Sequence, residues 1–398
     1  MNIARAVLQI YEKRPYPDLR RSGSAKRYWL LPPLPWIKAI WQRQQPVRRI
    51  LIAGCGTGSE AFALCRQFPG AEIVAVDFSS RSIRAAKHLQ RKNRKFKAIR
   101  FVGCDLTNPW LPEIIGDNFD LVSCHGVLSY IPRPGQALKN FARCLATDGV
   151  LYLGANGETH FSRRWRPVLP GFGIDVMTFQ ERSPLRQILK LFDTLSGHRS
   201  RLIAERPSGY LASDLFGPLI HDWSLAQWAK VYRAAGLHLF GSYSAFRPLR
   251  AAFPDDLYRS LVPRSRAQVV ELFETLTPSS FHRLILSRQP ELCPPWKDLR
   301  ELQKWRPVVT QLYQWQWPRK TQGRMTTRNL KLKSPSINTL VELPIPECQV
   351  EFLRRSNGKN SISGILRSVA VRFPRGPLRD QLYLLYQLVA INLLPPRS

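Results

Sequence analysis

The sequence predicts an α/β fold: a doubly wound, seven-stranded, mostly parallel sheet, followed by a small C-terminal helical module. Two observations carry this. Ile50-Leu51-Ile52-Ala53 is an apolar run that stops in three alternating glycines, Gly54, Gly56 and Gly58, and such a run bounded by turn residues reads as a buried parallel strand. From Arg49 onward, runs of this kind alternate with segments of helical spacing, which argues for βαβ units.

The elements follow in order. Residues 1–45 are rich in Pro and aromatics, as in Tyr11-Glu12-Lys13-Arg14-Pro15-Tyr16-Pro17, and read as an N-terminal arm or lid with a second helix from Trp36 to Gln44. Residues 46–289 hold the sheet. Strands are expected at Arg49–Ala53, Ala71–Val76, Ala98–Gly103, Asp120–Cys124 and Gly149–Gly154, with helices at Ser59–Gln67, Ser80–Arg91 and Gly135–Leu145 between them. A helix fits Thr178–Leu195. Another fits Ser224–Ala235, closed by Gly236 as a helix C-terminal glycine. The last strands fall at Leu237–Tyr243 and His282–Ser287, separated by an insertion with a helix from Arg266 to Thr275.

Residues 290–335 gather Trp296, Trp305, Trp315 and Trp317 among Lys and Arg, and read as one amphipathic helix from Trp296 to about Gln316, then a basic linker. Residues 336–398 read as helices at Pro346–Arg355, Ile362–Phe373 and Pro377–Leu394, with Asn357-Gly358 as a turn. Such a set resembles a winged-helix or three-helix module, a type that binds DNA or serves as a protein-docking cap; the docking role is the reading adopted.

Composition bounds the partners. The chain has 398 residues, enough for two or three domains. No stretch approaches the roughly 20 consecutive apolar residues that cross a bilayer, and the N-terminus lacks the cleavage pattern of a signal peptide. Seven cysteines are scattered singly, so no zinc or other metal site and no dithiol motif is expected, and a reducing cytoplasm is. Lys and Arg number 60 against 28 Asp and Glu, a formal charge of +32. That field favours an anionic partner such as RNA, although Arg91-Lys92-Asn93-Arg94-Lys95 lacks the aromatic interleaving of a single-strand platform.

The glycine turn is the chemical centre. Glycines after a buried strand let the backbone approach a ligand, and the following helix turns its N-terminus to it. Gly56-Thr57-Gly58-Ser59-Glu60-Ala61 fits the dinucleotide pattern, whereas Gly54-x-Gly56-x-Gly58 fits S-adenosylmethionine. Either ligand has a ribose, and Asp77 at the end of the second strand can accept its hydroxyls. Later segments separate the two. The third strand ends in Gly103-Cys104-Asp105-Leu106, where an acid can accept from an adenine amine while Leu106 packs near the ring. The fourth runs Phe119-Asp120-Leu121-Val122-Ser123-Cys124 into His125-Gly126-Val127-Leu128.

This succession resembles the class I S-adenosylmethionine-dependent methyltransferases, of the bacterial type 11/12 kind, over about residues 46–288. The resemblance implies a Rossmann-like sheet with an antiparallel closing strand, S-adenosyl-L-methionine as cofactor, and a methyl acceptor that it does not name. It implies that Gly54, Cys55, Gly56, Gly58, Asp77, Phe78, Asp105 and Leu106 line the cofactor, with His125 and Gly126 near its methionine end. The arm with Tyr11-Glu12 and Pro15-Tyr16-Pro17 is similar to one seen ahead of such domains. Ile52 departs from the pattern, standing where family members commonly carry Asp or Glu. Glu60 is near in sequence on the helix side, and the sequence does not assign it that place.

Methyl transfer needs alignment above all, and well-oriented reactants recover roughly 7–11 kcal/mol of barrier. A base helps where the nucleophile carries a proton. The candidates are His125 at the end of the fourth strand, His160 after the fifth, and Tyr16, with Tyr11 and Tyr130 as further covers. No Asn/Asp-Pro-Pro-Tyr/Phe sequence follows the fourth strand, which disfavours that style of base-amine methylation, and Cys124 reads as core. The expectation is methyl transfer to a small molecule or protein side chain. The alternatives are an RNA methyltransferase, suggested by the charge, and a cofactor-binding protein without catalysis, suggested by Ile52.

Overall fold

The computed structural model describes residues 3–17, 32–41, 45–176, 183–195, 203–206, 208–243, 265–316, 328–334, 339–345, 347–369 and 375–397. The chain divides into two compact units. The first comprises residues 1–32, 45–238 and 278–289; the second comprises 33–44, 239–277 and 290–398. The stretch read as one N-terminal arm thus divides after Pro32.

The first unit begins with helix α1 (Ile3–Lys13). Strands β1 (Arg49–Ala53), β2 (Glu72–Asp77), β3 (Ile99–Gly103), β4 (Phe119–His125) and β5 (Leu145–Asn156) run parallel. β7 (Phe281–Ser287) closes antiparallel on β5, and with β6 (His238–Ser242) the sheet order is β3-β2-β1-β4-β5-β7-β6. The expected seven-stranded, mostly parallel sheet is present. Ile50, Leu51, Ile52, Val74, Ala75, Leu121 and Val122 are fully or almost fully buried, as near-continuous apolar strands of a two-sided parallel sheet require. Chain order reverses between β1 and β4, so a crevice opens at their carboxyl ends.

Helices α3 (Ser59–Gln67) and α4 (Ser80–Arg91) have the expected bounds. Ser79 caps α4 by accepting from the Ser82 N–H. Helix α6 (Pro134–Cys144) precedes β5, and α10 (Leu225–Ala234) starts on a capping box of Ser224 and Gln227. The helix expected over Thr178–Leu195 is α8 (Ser183–Leu195); residues 178–182 lie outside the described residues.

In the second unit, α2 (Leu34–Trp41) overlaps the helix expected over Trp36–Gln44, of which residues 42–44 lie outside the described residues, and a helix over Arg266–Leu276 agrees with expectation. The amphipathic helix expected from Trp296 to Gln316 does not form. A short helix, Leu299–Leu302, is followed by β8 (Arg306–Val309) and β9 (Gln314–Gln316). Pro307 lacks the N–H a helix needs and pushes Arg306 into extended backbone, and Val308, Val309 and Thr310 are β-branched. The segment read as a basic linker holds β10 (Arg328–Ser334), which pairs with β9 and with β11 (Thr339–Ile345). The helix expected over Pro377–Leu394 ends at Gln387; Val389 takes a φ of 56°, and β12 (Ile391–Leu394) returns along β8. The C-terminal part therefore mixes helices with strands. Its core includes Trp296, edge-on to Tyr383 and Tyr386 at 5.0 and 5.4 Å. Arg266 is buried there, donating to the Tyr386 carbonyl at 2.8 Å and to Asn392 Oδ1 at 2.8 Å. Among the described residues, no helix is long and apolar enough to cross a membrane.

Candidate active site

The first unit encloses a cavity of about 1090 Å3 at the carboxyl ends of β1–β4. The glycine turn shapes one wall. Gly54 and Gly56 have φ of +78° and +51°, the left-handed region that favours glycine. A Cβ on Gly54 would lie 2.3 Å from the Val127 side chain, and one on Gly56 would lie 2.1 Å from the Tyr16 carbonyl oxygen. The close approach at Gly56 is made by the arm itself: the Tyr16 carbonyl accepts from the Thr57 N–H at 3.2 Å, and the Thr57 hydroxyl donates to the Pro17 carbonyl at 2.6 Å.

Asp77 ends β2 with its carboxylate in the wall, accepting from the Gly56 N–H at 2.8 Å and the Ser79 N–H at 2.9 Å. Burial holds its carboxyl above the ordinary range, against those two bonds. Each oxygen keeps a lone pair for a ligand. Asp105 is fixed by Thr107, whose N–H and hydroxyl donate to Oδ1 at 2.8 and 2.9 Å. Cys55, Phe78, Leu106, His125 and Gly126 join the same lining. Gly58 does not. It lies behind the wall, where a Cβ would meet Phe62 at 3.0 Å and Phe101 at 3.1 Å; its task is to bring α3 close to the sheet.

Glu60, in the first turn of α3, also lines the cavity. The Ser123 hydroxyl donates to it. Burial pushes its carboxyl up to about 7, against that hydrogen bond. A buried carboxylate facing a cavity is costly unless a cation meets it.

His125 and His160 both reach the cavity but differ in chemistry. The His125 Nδ1 lies 2.9 Å from the Tyr152 hydroxyl, its ring stacked on that tyrosine. Burial, with Arg283 nearby, pushes its pKa down to about 3, so it is neutral and a weak proton acceptor. His160 precedes helix α7 (Phe161–Trp165), and its Nδ1 lies 2.7 Å from the Ser162 hydroxyl and 3.3 Å from Asp222 Oδ1. Tyr16 lines the cavity from the arm, with Tyr11 from α1 and Tyr130 from the turn after β4.

Sequence reasoning missed part of the lining. Asp214, at the end of helix α9 (Ser208–Asp214), accepts from the Tyr130 hydroxyl and from the Ser213 hydroxyl at 2.7 Å. Burial raises its carboxyl, with His160 opposing. The phenols of Tyr11, Tyr130 and Tyr210 are pushed up by burial and then by Asp214. Arg206 and Arg283 also line the space. Arg206, Tyr210 and Asp214 follow β5 in loops and short helices that carry no spacing signal, and Arg283 lies on β7.

The methyltransferase-domain family model matches residues 51–151, the stretch that builds the glycine turn, Asp77, Asp105 and His125. These residues form a class I S-adenosylmethionine-dependent methyltransferase domain. The methyltransferase domain is similar to malonyl-[acyl-carrier protein] O-methyltransferase of Paenibacillus, at 31% identity over 113 residues, 28% of this chain and 40% of the relative. An uncharacterized Synechococcus protein is 29% identical over 161 residues, 39% of this chain and 38% of that one. The chain thus spans about 38–40% of the length of these relatives. Among solved structures, PKMT2 from Rickettsia typhi in complex with AdoHcy matches 96% of this chain and 77% of its own, at 14% identity and a TM-score of 0.56. At that identity the likeness is one of fold.

Proposed function

We propose that the chain transfers a methyl group from S-adenosylmethionine to a nucleophile of a small molecule or protein side chain held in the same cavity. The observation that carries this reading is the size of the shared space. About 1090 Å3 exceeds the roughly 300–1,000 Å3 usual for one ligand, and the lining carries tyrosine–carboxylate groups in addition to the cofactor-type groups.

The residues fit the cofactor. The cradle at Gly54 and Gly56 leaves no room for a Cβ, and among the described residues Glu60 is a buried carboxylate that no cation meets. Asp77 would accept from the ribose hydroxyls, Asp105 and Leu106 would hold the adenine, and Glu60 with Ser123 would meet the methionine ammonium. Glu60 thereby stands in for the acid missing at Ile52. When bound, the cofactor supplies an electrophilic methyl carbon on a sulfonium. The protein aligns the acceptor and excludes water, with Tyr11 and Tyr16 of the arm covering the space. His160 is the side chain placed to take a proton, and His125 shapes the wall.

Calorimetry with S-adenosylhomocysteine tests the reading. Asp77→Ala should weaken binding by about 1.5–3 kcal/mol, the loss expected for charged hydrogen bonds. No binding by the unaltered chain defeats the proposal. A second reading, methyl transfer to RNA, draws on the net charge of +32. It requires RNA affinity that falls steeply with salt; no RNA binding near 50 mM salt removes it.

A further inference from the structure

We infer that Ser162 and Asp222 hold His160 as the proton acceptor of the reaction, so that the methyl acceptor is a nucleophile that carries a proton at neutral pH, a hydroxyl or an ammonium, and not a carboxylate. This deepens the methyl-transfer reading and rests on it.

The hydrogen-bond inventory fixes the ring's tautomer. The Ser162 hydroxyl donates its one hydrogen to Asp222 Oδ2. Toward the His160 Nδ1, 2.7 Å away, that oxygen can then only accept, since a hydroxyl has a single donor. Nδ1 therefore carries the hydrogen, and the Nε2 lone pair is free. Among the described residues Nε2 has no hydrogen-bond partner, and His160 lines the cavity. Asn156 Nδ2 also lies 3.5 Å from Nδ1, but its two hydrogens go to the closer acceptors, Asp222 Oδ1 at 3.0 Å and the Tyr130 hydroxyl at 3.2 Å. Burial acts to raise the Asp222 carboxyl, but His160 first, then the Ser162 and Asn156 donors, hold it below the ordinary carboxylate range. The arrangement is a relay, His160 to Ser162 to Asp222, backed by the direct 3.3 Å approach of Asp222 Oδ1 to Nδ1.

The titratable groups facing the His160 ring are Asp222 and Asp214, with Tyr130 reached through Asn156. Arg166 and His221 face Asp222. His125, another imidazole lining the cavity, faces Arg283 instead.

In the step, the acceptor's O–H or N–H proton passes to His160 Nε2. The freed lone pair bonds to the methyl carbon, and the carbon–sulfur pair stays on sulfur, leaving a neutral thioether. A carboxylate acceptor is already ionised at neutral pH and gains nothing from such a base.

The full chain, tritiated S-adenosylmethionine and cell lysate as acceptor source test this. The expected label withstands mild base, as methyl ethers and methylamines do. Label released as methanol marks methyl esters and overturns the inference. His160→Gln should slow transfer by about 100-fold or more, the usual worth of a general base, with S-adenosylhomocysteine affinity unchanged. Asp222→Asn should move the acidic limb of the pH–rate profile to lower pH, and Asp222→Glu should restore it; a limb that stays in place sinks the relay. A readout without cofactor is carbethoxylation by diethyl pyrocarbonate: His160 should react at Nε2, and Asp222→Asn should lower the pH midpoint. An unreactive His160 also overturns the inference. The methyl-transfer reading fails separately, by absent cofactor binding or absent label.

Discussion

Glu60 is the residue on which the cofactor side turns. Burial raises its carboxyl to about 7. A raised carboxyl stabilises the empty protein while it holds its proton, so this contribution is complete below the unfolded value and lost as pH rises through about 7. A bound ammonium needs the ionised form, which reverses the dependence. Affinity for S-adenosylhomocysteine should therefore increase several-fold from about pH 6 to about pH 8, and the ligand-induced rise in melting temperature should widen over the same interval. Glu60→Gln should flatten both trends; a pH-independent affinity in the unaltered chain would remove Glu60 from the ammonium site. The sequence exposed the absence at Ile52 but not the replacement. Glu60 reaches the cavity because α3 turns its first residues toward β4, where Ser123 waits, and that juxtaposition across 63 residues leaves no mark in local spacing.

At the level of elements, the glycine turn and the arm form one structure. Gly56→Ala would place a Cβ against the Tyr16 carbonyl at 2.1 Å and at a φ of +51°. We expect a loss of about 1–3 kcal/mol of stability from the backbone conformation alone, together with faster proteolysis of the arm. An unchanged melting temperature and unchanged arm cleavage would show that Tyr16 is not docked there. The β-strands and helices around this turn were legible because buried parallel strands are apolar throughout and end at glycine, Asp or Asn. The Trp-rich stretch was not. Its Trp and Leu positions fit a helical period, but Pro307 and the β-branched residues after it favour the extended chain, and partners as distant as Ile391–Leu394 complete the pairing. Likewise the relay around His160 draws on Asn156, Ser162 and Asp222 from separate elements, so His160 was visible as a candidate while its partners were not.

For the whole molecule, the second unit depends on a buried cation. Arg266 donates to Tyr386 and Asn392, lies over the Tyr386 ring at 3.7 Å, and pairs with Glu291 at 3.6 Å. Removing one partner of a buried pair strands the other, so Arg266→Ala should cost about 3–5 kcal/mol. Denaturation followed by tryptophan fluorescence would register it, and a loss under about 1 kcal/mol would mean that the network carries little stability.

The lining of the cavity also comes from different stretches of the chain. The glycine turn, Asp77, Asp105 and His125 lie within residues 54–126, whereas His160, Arg206, Tyr210 and Asp214 lie within 160–214. Recombination with a breakpoint just after β5 would exchange the second group as one cassette and leave the first untouched. Chimeras of that design are a direct route to grafting new acceptor preferences onto this chain, and a natural history of such exchanges would leave relatives that match it over the first stretch alone.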